Sequence, residues 1–297
     1  MPEYIDYETL DDGTIARITL NRPDYHNAQN RGMLVELDAA FGRAEADDAV
    51  RVIILAAAGR SFSAGHDMGS AIAAEEIEPG PGQHPTMRIH GGTHVGVVEQ
   101  RMRQEWHYYF ENNLRWRNLR KITIAQVQGN VISAGLMLMW ACDLIVAADD
   151  TTFADVVGTR LGMGSVEYVA HPWEFGPRKA KELLLTGDSI DAEEGHRLGM
   201  VNKVFPRAEL AERTVEFARR IASRPTVTSL VVKDLINDAV DHMGFTNSLK
   251  HSFTLHQLNH AHWSALHDDK FPAGKPGTDV EDWRTAGKPR PSRKDQP

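Results

Sequence analysis

The chain has 297 residues, 41% hydrophobic and 25% charged, and a formal net charge of -8. A chain of this size can bury one large core, or one core with an appended helical part. The acidic balance lacks the long-range attraction that a nucleic-acid surface needs, and no uninterrupted apolar stretch is long enough to span a bilayer, so neither is an expected partner. A single cysteine, Cys142, excludes an internal disulfide and a Cys-based zinc site; in its apolar run it reads as core packing rather than a nucleophile. The acidic, alternating N-terminus has no secretion-signal pattern, and a cytoplasmic address is expected.

In chain order, Ile15 to Leu20 reads as a strand entering the turn Asn21-Arg22-Pro23-Asp24. Met33, Leu34, Leu37, Ala40 and Phe41 recur at helical spacing and predict a helix over 30–46. Arg51 to Ala57 is a nearly continuous apolar strand, as expected when both faces are covered. Residues 75–96, with Pro79, Pro81, Pro85, His84, His90 and His94, read as a long loop near the site, with no supporting pattern for a metal. Ile122 to Val127 predicts a third strand, Ile132 to Trp140 a buried helix, and Leu144 to Ala147 and Val201 to Phe205 two more strands. Helices are expected over 210–221, 226–243 and 249–266, before a loosely held tail. The alternation argues for an α/β layer architecture.

Two turns rich in small residues follow apolar strands: Ser61-Phe62-Ser63-Ala64-Gly65-His66-Asp67, and Gln128-Gly129 through Ser133-Ala134-Gly135. Together they can present two backbone N–H groups to one oxygen, which is what stabilises an enolate or a tetrahedral intermediate. A helix starting at Ala134-Gly135 would aim its positive end at the same oxygen. Taken alone, each turn is also an ordinary tight corner.

These turns belong to an ordered set. It runs Leu20-Asn21-Arg22-Pro23 with Asn27-Ala28, the two turns, Cys142 to Ala147, Phe153, Leu185-Thr186-Gly187-Asp188 and Gly199-Met200-Val201. In this order the set resembles the crotonase (enoyl-CoA hydratase/isomerase) superfamily, over roughly residues 5 to 270. The resemblance implies an α/β spiral of repeated ββα units over 1–206, a C-terminal helical region over 207–270 and an extended tail over 271–297. It also implies trimers or dimers of trimers, and an acyl-CoA substrate that carries coenzyme A with no separate cofactor. Its oxyanion-hole donors fall on the backbone N–H groups of His66 and Ala134. Tyr25, His26, Ala28 and Ala64 fall where the family holds coenzyme A; for Lys270 and Lys275 two readings stand, a reach toward its phosphates or plain surface solvation.

Hydration of an enoyl thioester also needs a proton-transfer group, and the family's two glutamates fall here on Met137 and Val157, neither of which transfers a proton. The nearby acids are Asp155, Glu167 and Glu174, with His90 and His94 as loop candidates. Asp155 and Glu167 are the preferred catalytic residues, each with an ion-pair or capping role as the plainer reading. The expected activity is that of an enoyl-CoA hydratase-like lyase. The alternatives are an acyl-CoA hydrolase, a C–C bond hydrolase or an isomerase of the same superfamily, or a CoA-binding pseudoenzyme. Trp106, His107, Tyr108, Tyr109, Phe110 and Trp116 add aromatic bulk that would suit a bulky or cyclic acyl group.

Overall fold

The computed structural model describes residues 3–72, 85 and 97–266. His84, His90, His94, Lys270 and Lys275 lie outside the described residues. The strands are β1 (Ile5–Leu10), β2 (Ile15–Leu20), β3 (Val52–Ala57), β4 (Ile122–Val127), β5 (Asn130–Ile132), β6 (Leu144–Ala148), β7 (Thr152–Ala154), β8 (Ile190–Asp191) and β9 (Lys203–Phe205). They form a six-stranded sheet ordered β1-β2-β3-β4-β6-β9 and a three-stranded sheet ordered β5-β7-β8. Only the β1–β2 and β7–β8 pairs are antiparallel.

The continuous apolar run of β3 is explained by two separate cores. Ile53 and Leu55 join one with Met33, Leu34 and Leu37 of the Arg31–Ala46 helix. Val52, Ile54 and Ala56 join the other with Leu210, Val215 and Ala218 of the Leu210–Ala222 helix. Alternate side chains of a strand leave opposite faces, so a strand covered on both sides has no polar position to show.

The structure alters the expected elements at several points. Residues 130–132 form β5 and the buried helix begins two residues later than Ile132, at Ala134, running to Trp140. The small sheet is built of strands two or three residues long, too short to carry a period. The last helix begins at Phe245 rather than 249, and its Phe245, Leu249 and Phe253 are part of the main core. A π-helical segment, Glu105–Glu111, interrupts the helical stretch before β4.

Candidate active site

Buried polar contacts stitch the N-terminal turn to the first glycine-bearing turn. Asn27 is fully buried; its amide donates to the carbonyls of Ala58 and Ser61, and its side-chain oxygen accepts from the Arg22 N–H. The Arg22 guanidinium donates to the Ala28 carbonyl and to Asp67 at 2.6 Å. The Ser63 hydroxyl donates to the Asn27 carbonyl and accepts from the Gln29 amide. Satisfied networks of this kind hold a turn in one geometry, because each broken link would leave a buried group unpaired.

That geometry aims the His66 N–H. Gln29 donates to the Gly65 carbonyl and accepts from the Asp67 N–H, forming a parallel bridge opposite His66. In such a bridge the neighbours of His66 make the bonds, and its own N–H points the other way. The second turn lies alongside: the Ile132 N–H donates to the Ser63 carbonyl, and Ser63 bridges Val131. A Cβ at Gly65 would sit 3.4 Å from the Ala134 nitrogen, so the two turns are in contact where the donors lie. Ser133 has a φ of +48°, a costly conformation that turns the chain sharply into the helix. Neither the His66 nor the Ala134 N–H meets an acceptor among the described residues.

The His66 side chain ties this pair to Glu167. Its Nε2 donates to Glu167 Oε2 at 3.1 Å, and its ring stacks on Tyr109 with centroids 3.7 Å apart. The second Glu167 oxygen lies 3.7 Å from His256 Nε2. Burial alone raises the Glu167 carboxyl, but the charges and hydrogen bond of His66 and His256 outweigh it, and Glu167 lies below its ordinary range. Glu167 is therefore ionised at neutral pH and sits one side chain away from the two free donors.

Asp155 is placed differently. Its oxygens accept from the N–H groups of Val157 and Val166, and His171 Nε2 lies 3.0 Å from Oδ2, off the line of a good hydrogen bond. Burial pushes this carboxyl up, yet His171 and the two N–H groups hold it below its ordinary value. A depressed carboxyl stabilises the fold fully above its unfolded pKa, about 3.9, and loses that contribution as pH falls through the lower folded value. Asp155→Asn is therefore expected to cost about 3 kcal/mol at pH 7 and distinctly less at pH 3, read from urea midpoints. An equal cost at both pH values would remove the ion-pair account.

Glu174 is partly covered, and burial lifts its carboxyl to about 7. Met137 is buried within the core, and Val157 packs against it. The Cys142 thiol is pushed up to about 12 by burial and remains protonated. Most of the aromatic segment is also core: Phe110 packs with Trp106 and Phe253, and Trp116 with Phe41. Tyr109 alone of that set is in ring contact with His66 among the described residues. Tyr25, His26, Ala28 and Ala64 share one rim, where the Ala64 N–H donates to the His26 carbonyl and the Ala28 N–H to that of Tyr25. A groove of about 660 Å³ lined by Asp38, Trp106, Arg115, Trp116 and Lys250 shares no residue with the two turns.

The sequence reading missed Glu105, His256 and His260, which lie behind Glu167. The His-x3-His spacing within the expected last helix was the available signal, since residues four apart share a helix face.

Comparison with known proteins identifies the family. The profile of the enoyl-CoA hydratase/isomerase family matches residues 11–85 and 90–265. EchA13 of Mycobacterium tuberculosis, named as an enoyl-CoA hydratase, is 64% identical over 99% of this chain and 92% of its own length. A 4-chlorobenzoyl coenzyme A dehalogenase of an Arthrobacter species is 32% identical over 75% of each chain. The solved structure of a probable enoyl-CoA hydratase from Mycobacterium smegmatis superposes with a TM-score of 0.79 at 43% identity, covering 91% of this chain and 98% of that one. The chain belongs to the enoyl-CoA hydratase/isomerase family and has its fold. It is an enzyme of that family's hydratase-like lyase kind.

Proposed function

We propose that the protein adds water across the double bond of a 2-enoyl-CoA thioester, with the His66 and Ala134 N–H groups as oxyanion hole and Glu167 as the single proton-transfer group. The observation that carries this reading is the pair of unpartnered, adjoining N–H groups joined to an ionised carboxylate through one imidazole. Glu167 takes a proton from water as its oxygen bonds to the β-carbon, and the π electrons move onto the thioester oxygen in the hole. The enolate then collapses and the α-carbon takes the same proton back, so one carboxylate balances both steps. A depressed pKa makes Glu167 a weak base, and the hole must lower the barrier accordingly. Each such donor is worth about 3–4 kcal/mol to a developing oxyanion.

Asp155 is given a structural role, because its oxygens are already occupied. Tyr25, His26, Ala28 and Ala64 are given the coenzyme A end of the substrate, which their shared rim beside the hole supports; Lys270, outside the described residues, is given the same end. Isomerisation is the second reading, favoured by the burial of Met137, because one carboxylate suffices to move a proton between two carbons. Turnover of linear, branched and aromatic CoA esters in ¹⁸O-labelled water separates the readings. Label at the β-carbon is expected; a shifted double bond without label selects isomerisation, and bound thioester without product refutes both.

Among the described residues no helix is long and apolar enough to cross a membrane. A cytoplasmic setting and a trimer or dimer of trimers complete the proposal. The exposed Val227, Val231, Leu235 and Ile236 of the Thr226–His242 helix support a subunit contact, which sedimentation of the full chain checks.

A further inference from the structure

Behind Glu167, three side chains from two helical segments converge. His256 and His260 stand one turn apart on the Phe245–Leu266 helix, and Glu105 opens the π-helix. All three are at least 94% buried, with exposures of 6%, 6% and 4%. The two Nε2 atoms are 2.9 Å apart, and the Glu105 oxygens lie 3.4 Å from that of His256 and 3.2 Å from that of His260.

These distances suit a metal better than a set of hydrogen bonds. Zinc holds nitrogen and oxygen donors at about 2.0–2.1 Å in a tetrahedron, whose edges are then about 3.3 Å. The Nε2–Nε2 separation lies within half an ångström of that edge, and each Nε2 has one Glu105 oxygen within the same margin, Oε2 for His256 and Oε1 for His260. Neither imidazole meets Glu105 along a hydrogen-bond line; the Gln257 amide is what donates to that carboxylate. Two neutral imidazoles facing through Nε2 can share one proton at most, and the Nδ1 of His260 has no partner among the described residues. The Nδ1 of His256 is 2.9 Å from the Ser165 carbonyl, so it carries a proton there and turns Nε2 toward His260 and Glu105. An imidazole fixed through its other nitrogen in this way is the usual support of a metal-bound histidine.

We propose that Glu105, His256 and His260 form a closed site for one divalent zinc-class ion, which fastens the C-terminal helix to the π-helix behind the catalytic carboxylate. The donor set, two imidazoles and one carboxylate, suits Zn²⁺ and its spectroscopic stand-in Co²⁺. Binding displaces the proton shared by the two Nε2 atoms, so uptake is accompanied by proton release. Glu167 stands outside the ligand set, and the site supplies no step of the reaction.

The test is metal content of the full-length protein after exposure to Zn²⁺ and dialysis, with the visible d–d absorption of the Co²⁺ form. About one ion per chain and the intense bands of a tetrahedral site are expected. His260→Gln and Glu105→Gln should each weaken zinc at least about 100-fold. Glu167→Gln should keep it, which separates this site from the proposed hydration. Chelation should lower the melting temperature of the wild type and leave that of His260→Gln unmoved. A folded wild type that retains no zinc and gives no tetrahedral cobalt spectrum overturns the proposal, and the cluster is then a protonated imidazole pair. Zinc retained equally by the wild type and both ligand variants overturns it as well.

Discussion

Glu167→Gln is expected to lower kcat by about 10²–10⁴-fold, while a non-reacting CoA thioester binds within a few-fold of the wild type. The amide keeps the shape of the carboxyl and can still accept from His66 Nε2, but it takes no proton from water. His66→Ala provides the complementary measurement. It keeps the main-chain N–H proposed as half of the hole and removes the ring that holds Glu167 at 3.1 Å. If the ring acts by positioning, kcat falls less in His66→Ala than in Glu167→Gln, and the acidic limb of the kcat profile moves up as Glu167 loses its partner. Equal losses in the two variants would make the imidazole itself a proton-transfer group. Full activity in Glu167→Gln would return the search to Glu174, whose carboxyl near 7 is suitable for transfer.

Glu167 and Asp155 differ in what already occupies their oxygens. Both acids were candidates by position, Asp155 two residues after Phe153 and Glu167 beyond the Gly162-Met163-Gly164 turn, but distance along the chain does not say which lone pairs are spent. Asp155 lies just after β7, where the N–H groups of Val157 and Val166 and the His171 ring converge on it. Glu167 lies beyond, on a stretch without regular structure, and its partners come from residues 66 and 256. A pairing across about a hundred residues leaves no local pattern. The strands Ile15–Leu20, Val52–Ala57 and Ile122–Val127 were legible because burial imposes composition on every position. The β5-β7-β8 sheet was not, because strands of two or three residues are too short to display alternation. The π-helix was hidden for a related reason: its residues suit an ordinary helix, and i→i+5 bonding is a tertiary outcome.

The oxyanion hole itself is tested at Gly65. This residue has a φ of +92°, a region that side-chain-bearing residues rarely adopt, and an added Cβ would lie 3.0 Å from the Ile132 carbonyl and 3.4 Å from the Ala134 nitrogen. Gly65→Ala must therefore push the two turns apart where their N–H groups converge. The backbone strain costs about 1–3 kcal/mol of stability, small enough to leave a folded protein. The catalytic cost is larger, because a donor displaced by a few tenths of an ångström no longer follows the charge as it grows. Loss of one such donor is worth about 10²–10³ in kcat, with ground-state binding of the thioester little changed. Gly42→Ala is the control: it lies within the Arg31–Ala46 helix with nothing within 4 Å of the added Cβ. It should raise stability by about 0.5–1 kcal/mol and leave turnover alone. Steady-state kinetics and thermal melts of both variants decide the matter. If Gly65→Ala lost stability and kept its kcat, the N–H groups of His66 and Ala134 would not be the ones that hold the enolate.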